Sequence, residues 1–175
     1  MKPETEPSAA FRWLVRVYFE DTDAGGVVYH ATYLHFMERA RTEWLRALGF
    51  EQDRLRADQG VLFVVRRMGI EYRGAARFND LLVVTSRLSG KGRASLNFEQ
   101  TVLREADGSL CCRASVNVAC VDAEWMRPTR MPQGISVAFA GLVAGTTAGS
   151  HAGSNPGPVP GRETGPISSE SIDGL

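Results

Sequence analysis

Residues 31–48, ATYLHFMERARTEWLRAL, hold the clearest helical periodicity in the chain, and the apolar segments from residue 61 to 123 all alternate like strands. Tyr33, Met37, Ala40, Trp44 and Leu48 recur at spacings of three and four and form one stripe. Glu38, Arg39, Arg41, Glu43 and Arg46 fall on the opposite side, and Gly49 supplies a C-terminal stop. A helix with one apolar stripe must bury that stripe, and the downstream segments supply a sheet to bury it on. These are residues 61–74, 80–90, 93–105 and 109–123, the last two joined by the hairpin-type turn ADG. Leu96, Phe98 and Val102 share one face of their strand. Leu110, Cys112, Ala114, Val116, Val118 and Cys120 form an apolar face opposite Ser109, Arg113, Ser115 and Asn117. Upstream, residues 11–20 alternate as well, with Trp13, Val15 and Val17 against Arg12, Leu14, Arg16 and Tyr18. Long strands with one apolar face predict an α+β fold, a five-stranded antiparallel sheet wrapped around one long helix. Gly69 is a candidate bulge, and residues 51–58 add a turn of helix.

Composition sets the boundaries. Residues 134–175 contain nine of the eighteen glycines and four of the eight prolines but few charges, which predicts a Gly/Pro/Ser-rich, mostly disordered tail. Within it, Ile135–Val143 could form a short amphipathic element that docks. Residues 1–10 read as a flexible lead-in, leaving one domain over 11–133. Twenty basic and twenty acidic residues give no cationic excess, which argues against nucleic acid or an anionic membrane as the main partner. Three cysteines without C-x-x-C spacing predict reduced, buried thiols and a cytoplasmic protein. No secretory leader and no membrane-spanning stretch is expected.

The chemistry concentrates in EDTDAGGVVYHATY, residues 20–33, between the first strand and the helix. Asp23 follows the strand, Gly25 and Gly26 permit close approach to the backbone, and the helix is expected to begin near His30. N–H groups of a helix's first turn have no intrahelical partner and favour negative charge, so they can polarise a carbonyl oxygen. A carboxylate beside them could attack directly or activate water, with an imidazole to orient it. Against this stands a purely structural role, since aspartates before helices commonly serve as turn or capping residues. DTDAGG also resembles the start of a calcium loop, but Gly25 stands where an oxygen ligand, and Thr32 where a bidentate glutamate, would be needed. His35 and Glu38 have a spacing found in metal sites, without a second histidine–carboxylate set to complete a shell, so no metal is expected. Lys91 and Arg93, in SGKGRAS, are either a surface turn or a phosphate contact.

The run VYFEDTDAGGVVYHATYLHFMERARTEWLRALG, with IEYRGAARFNDLL, FEQTVLRE and VNVACVD followed by Arg127-Pro128, resembles the hot-dog-fold acyl-CoA thioesterases of the 4-hydroxybenzoyl-CoA thioesterase family. Its nearer likeness is to the branch associated with the Tol-Pal envelope system. The resemblance covers about residues 11–133. It implies hydrolysis of acyl-CoA thioesters without a cofactor, in homodimers with continuous sheets that assemble to homotetramers, with possible envelope or lipid-synthesis partners. It places the family's essential aspartate on Asp23 and its histidine on His30, as catalytic residues. Gly26, Val27, Val28 and Tyr29, with Lys91 and Arg93, are the expected substrate contacts, and Asp21 is mainly structural. Several members carry a tyrosine four residues before the key aspartate; here that residue is Phe19, which lacks the hydroxyl. Two other functions stay open: a hot-dog hydratase or dehydratase on acyl thioesters, and a non-catalytic acyl-binding scaffold.

Overall fold

The computed structural model describes residues 10–143. The elements are β1 (Phe11–Arg16), a 3-10 turn at Phe19–Asp21, α1 (Thr32–Ala47), α2 (Gln52–Gln59), β2 (Val61–Tyr72), β3 (Leu81–Lys91), β4 (Ser95–Arg104), β5 (Leu110–Asp122) and α3 (Gln133–Val143). The five strands form one sheet in the order β1-β3-β4-β5-β2, and every neighbouring pair is antiparallel. This is the expected α+β hot-dog arrangement, with α1 lying along the inner face of the sheet.

The predicted stripe of α1 is the buried one. Phe36, Met37 and Ala40 are fully enclosed, with Tyr33, Trp44 and Leu45 beside them, while Leu48 is half-buried at the helix end. Gly49 terminates the turn with φ +89°, a conformation that costs a residue with a Cβ roughly 1–2 kcal/mol. The inner face of the sheet comprises Leu82, Val84 and Leu88, then Leu96, Phe98 and Val102, then Cys112, Ala114, Val116, Val118 and Cys120. On β1, Phe11, Trp13 and Val15 point inward and Arg12, Leu14 and Arg16 outward, as the alternation predicts.

Three features depart from the sequence reading. Gly69 is in register opposite Ser115, and the β2 irregularity falls at Arg66 instead. Arg41 is not on a solvated face. Its Nη1 donates to Oε1 of Gln100 at 2.7 Å, and Gln100, fully buried on the inner face of β4, donates in turn to the Met37 carbonyl and to Ser86 Oγ. The folded domain also continues beyond 133. α3 buries Ile135 and Phe139, and the Phe139 ring meets Trp44 edge-on at 5.5 Å and Phe98 at 6.1 Å, with Phe11 stacked on the same tryptophan. The segment Ile135–Val143, expected as a docking element, is therefore part of the core. The expected tail from 144 onward and the lead-in 1–9 lie outside the described residues.

Candidate active site

The connection from β1 to α1 is a chain of short turns, each closed by its own hydrogen bonds. The Tyr18 N–H donates to Asp21 Oδ2 at 2.8 Å, closing the 3-10 turn, and the Tyr29 N–H donates to the Asp21 carbonyl at 2.9 Å. With carboxylate and carbonyl both engaged, Asp21 shapes the loop. Asp23 opens the next turn. Its N–H donates to the Val27 carbonyl, its carbonyl accepts from Gly26, and its Oδ1 accepts from the Gly25 N–H at 2.8 Å. Gly26 sits at φ +72°, and a Cβ on Gly25 would meet Asp23 Oδ1 at 3.0 Å. These two glycines let the chain fold closely around the carboxylate, leaving its other oxygen without a partner among the described residues. Asp23 is exposed.

Two anchors hold the loop to the body. Val28, 4% exposed, enters the core, and its N–H donates to the Ala76 carbonyl at 2.8 Å. The Ala76 N–H in turn donates to the buried Tyr33 hydroxyl, whose pKa burial pushes up to about 12, so it stays neutral. At the other side the Tyr72 hydroxyl donates to the His30 carbonyl at 2.8 Å, and the exposed His30 ring lies 4.3 Å from Tyr29 and 6.3 Å from Tyr72. An isolated bridge between Thr22 and Val28 joins the two limbs, setting the Asp23 turn alongside Tyr29 and His30.

α1 starts at Thr32, two residues later than expected. The Thr32 N–H donates to Tyr29 O at 2.8 Å and Leu34 to Ala31 O at 3.0 Å, and the Tyr29 amide serves Asp21. The His30 and Ala31 N–H groups have no acceptor among the described residues, so the free donors are narrower than a whole first turn.

Of the expected substrate contacts, Gly26 and Tyr29 are exposed and Val27 half-buried on this loop. Val28 is a core anchor and presents no surface. Lys91 and Arg93 are not brought to the loop in one chain. Leu81 pairs with Arg16 at the loop's end of the sheet, and Lys91 lies ten residues further along β3, about 33 Å at strand rise. The Arg93 carbonyl instead accepts from Met131 ahead of α3. Sequence reasoning missed Tyr72 and Ala76; both lie in the IEYRGAARFND segment that carried part of the family resemblance.

Between α1, α2 and β2 lies a cavity of about 90 Å³. Leu45, Phe63, Leu96, Phe98 and Phe139 are among its apolar lining residues. Glu38, Thr42 and Gln52 line it too: Gln52 donates to Thr42 Oγ1 and Thr42 to Glu38 Oε1. Glu38 is thus engaged with Thr42 rather than with His35. Among the described residues, no group of three or more His, Cys, Asp or Glu side chains could hold a metal ion.

Residues 17–139 match the family described as the thioesterase-like superfamily. The chain is 49% identical over 129 residues to an acyl-CoA thioesterase YbgC of Haemophilus influenzae, spanning 74% of this chain and 93% of that one. An acyl-CoA thioester hydrolase YbgC of Escherichia coli O6:H1 is 48% identical over 129 residues, spanning 74% of this chain and 95% of its own length. Among solved structures, a probable thioesterase from Bartonella henselae superposes with a TM-score of 0.66 at 38% identity, over 71% of this chain and all of that one.

Proposed function

The chain belongs to the thioesterase-like superfamily and is an acyl-CoA thioester hydrolase, and on that premise we propose that the Asp23 turn is its active site. The observation that carries this is the pairing of an exposed carboxylate, fixed through one oxygen, with the His30 and Ala31 amides, which have no acceptor among the described residues, across the Thr22–Val28 bridge. The thioester carbonyl oxygen accepts from those amides, which stabilise the charge that develops on it. The free oxygen of Asp23 either attacks the carbonyl carbon, giving an anhydride that water then opens, or removes a proton from the attacking water. In both routes the carbon–sulfur bond breaks and CoA departs as a thiolate. A thiol pKa of about 8.5 makes that departure easy with little acid assistance. His30 orients the incoming group or protonates the thiolate. Phe19 has no hydroxyl, so one at this loop would come from Tyr18, Tyr29 or water, and of the two tyrosines Tyr29 has its ring against His30. Single turnover in labelled water separates the routes: label entering the Asp23 carboxylate means attack by Asp23 itself.

The exposed edge of β2 supports the homodimer reading, in which two sheets join across that edge and the dimers pair into a homotetramer. Three buried free thiols support a cytoplasmic location, with an association with Tol-Pal, envelope or lipid-synthesis proteins as the wider context. A panel of acyl-CoA esters with detection of released thiol, comparing the wild type with Asp23→Asn, tests the assignment. Release abolished in Asp23→Asn supports it. Full activity in Asp23→Asn sinks it, enoyl hydration without thiol release means the hydratase, and binding without turnover means the scaffold.

A further inference from the structure

The Asp23 turn is closed by bonds within its own connection, so its place on the molecule depends on what holds that connection. The support is the segment 73–80, between β2 and β3. Where the connection leaves β1, the Val17 N–H donates to the Asp80 carbonyl at 2.9 Å and the Val17 carbonyl accepts from the Asn79 N–H at 3.0 Å. Further along, the Val28 N–H donates to the Ala76 carbonyl, and the Ala76 N–H donates to the Tyr33 hydroxyl on α1. One segment thus fixes both the limb that leads to Asp23 and the limb that leads to the His30 and Ala31 amides. A change in its shape changes the distance between them.

Little apolar packing holds that shape. Ala76 is buried and Asp80 half-buried, and the rest of the segment is exposed. A segment so placed depends on polar anchors. Its start is tied to β5, where the Arg73 and Gly74 N–H groups donate to the Cys111 carbonyl at 2.8 and 3.0 Å. Beyond that start, Arg104 at the end of β4 grips it twice. Nη2 donates to the Ala75 carbonyl at 2.8 Å, and Nε lies 3.4 Å from Asp80 Oδ2. The first contact adjoins the residue that holds Val28, and the second is on the residue that holds Val17. Among the described residues, no other side chain bonds to both of these points.

The guanidinium is itself braced by the β4–β5 hairpin. Nη1 donates to Asp107 Oδ2 at 3.2 Å, and Asp107 Oδ1 accepts from the Ser109 N–H at 3.0 Å and the Ser109 hydroxyl at 2.7 Å. The Arg104 N–H donates to the Ser109 carbonyl and its carbonyl accepts from the Gly108 N–H, both at 2.8 Å. Nε is buried and makes no hydrogen bond among the described residues, so Asp80 is its counter-charge and not its acceptor. A planar fork can serve a carbonyl and two carboxylates at once, which a single ammonium cannot do in the same geometry. Arg104 makes no hydrogen bond or ion pair with Asp23 or His30. Whatever it contributes to the chemistry passes through the backbone.

We propose that Arg104 is a positioning residue for the hydrolysis. Through the Ala75 carbonyl and Asp80 it sets the 73–80 segment, and through Val17 and Val28 that segment sets the Asp23 carboxylate against the His30 and Ala31 amides. The proposal rests on the reading of the Asp23 turn as the active site.

Arg104→Met removes the grip and keeps much of the bulk. It lowers kcat for thioester hydrolysis by about ten- to thirtyfold and leaves KM within about twofold, since displacing a reacting group by about 1 Å costs up to about 10²-fold. Arg104→Lys recovers part of the loss, and so does guanidinium ion added to Arg104→Ala at concentrations too low to shift its melting. In the Asp23→Asn background no carboxylate remains to be placed, so Arg104→Met lowers the residual rate by less than about twofold. Amide exchange rises over residues 17–30 in Arg104→Met and stays at the wild-type level over β5. Where Arg104→Met does not fold, Arg104→Lys, which keeps the charge but not the fork, is read in the same way. A folded variant with wild-type kcat and exchange overturns the proposal while the active-site reading stands. An equal loss in the wild-type and Asp23→Asn backgrounds also overturns it, because Arg104 then only stabilises the fold. Asp23→Asn at the wild-type rate overturns the active-site reading, and the proposal with it.

Discussion

Replacing Gln100 with leucine removes the group that lets α1 carry a guanidinium against the core. Gln100 is 1% exposed and has three partners: Arg41 Nη1 at 2.7 Å, the Met37 carbonyl at 3.0 Å and Ser86 Oγ at 2.8 Å. Its two donated bonds fix the amide so that Oε1 faces Arg41. Burial already disfavours the charged form of Arg41, with the Glu38 charge partly offsetting it, and no carboxylate forms an ion pair with Arg41 among the described residues. Loss of a hydrogen bond to a buried charge costs about 1.5–3 kcal/mol, and the orphaned Ser86 hydroxyl adds about 1 kcal/mol. The Met37 carbonyl lies within α1, which limits its own loss. Leucine recovers some apolar contact, so the net destabilisation is about 2–4 kcal/mol. In a domain of this size that lowers the melting temperature by about 8–15 °C at fixed protein concentration. Urea unfolding followed by tryptophan fluorescence, with Trp44 reporting from the core, measures it. The same logic requires that Gln100→Leu with Arg41→Met be more stable than Gln100→Leu alone, because removing both polar partners leaves nothing buried and unsatisfied. A single variant within about 0.5 kcal/mol of wild type, or a double variant no better than the single, refutes the account.

Two further outcomes follow from the loop and the core. Gly26→Ala forces a Cβ into φ +72°, so it costs about 1–2 kcal/mol and displaces the Asp23 turn. Thermal melting reads the first effect and a kcat drop of about tenfold reads the second. Burial holds the Cys112 thiol up to about 12 and raises those of Cys111 and Cys120. The folded pKa values are above the unfolded ones, so this contribution to stability is intact below about pH 8.5 and is lost as pH rises toward that of the folded thiols. Urea midpoints are therefore expected to fall between about pH 8.5 and 11, and less so in Cys112→Ala. Near neutrality, the native protein should leave all three thiols unreactive to a disulfide reagent until it unfolds.

The architecture was legible because its signals are local and repeated. The α1 stripe and the alternation of β3, β4 and β5 each specify a buried face, and a helix with one such face beside a sheet with another has few ways to pack. What escaped was long-range pairing. Gln100 interrupts the Leu96–Phe98–Val102 face, but nothing in its strand reveals that Arg41, 59 residues away, requires it. α3 was half legible: Ile135–Val143 stood out as an amphipathic element within a glycine-rich stretch, but its aromatic partners Trp44, Phe98 and Phe11 around it did not. At the site, the stretch EDTDAGG singled out Asp23 as a candidate, but the anchors Ala76 and Tyr72 come from another part of the chain. Lys91 and Arg93 lie at the far end of β3 from the Asp23 turn of their own chain, a separation that no local pattern reveals.

The Asp23 turn itself shows that the structural and chemical roles weighed for that residue do not exclude each other. Oδ1 accepts from the Gly25 N–H while the other oxygen has no partner among the described residues, so one carboxylate builds the turn and keeps an oxygen for the chemistry proposed for it. Substitution can separate the two roles. In Asp23→Asn the amide oxygen still accepts from Gly25, so the turn persists and stability changes by less than about 0.5 kcal/mol. The charge and the free oxygen are gone, and thioester hydrolysis falls by about 10²–10⁴-fold. Asp23→Ala loses the Gly25 bond as well and is destabilised by a further 0.5–1.5 kcal/mol or so, with no greater loss of activity. A thermal melt and a thiol-release assay on both variants make the comparison. If asparagine melts as low as alanine, the Gly25 bond is not what holds the turn; if asparagine hydrolyses at the wild-type rate, the carboxylate does no chemistry there.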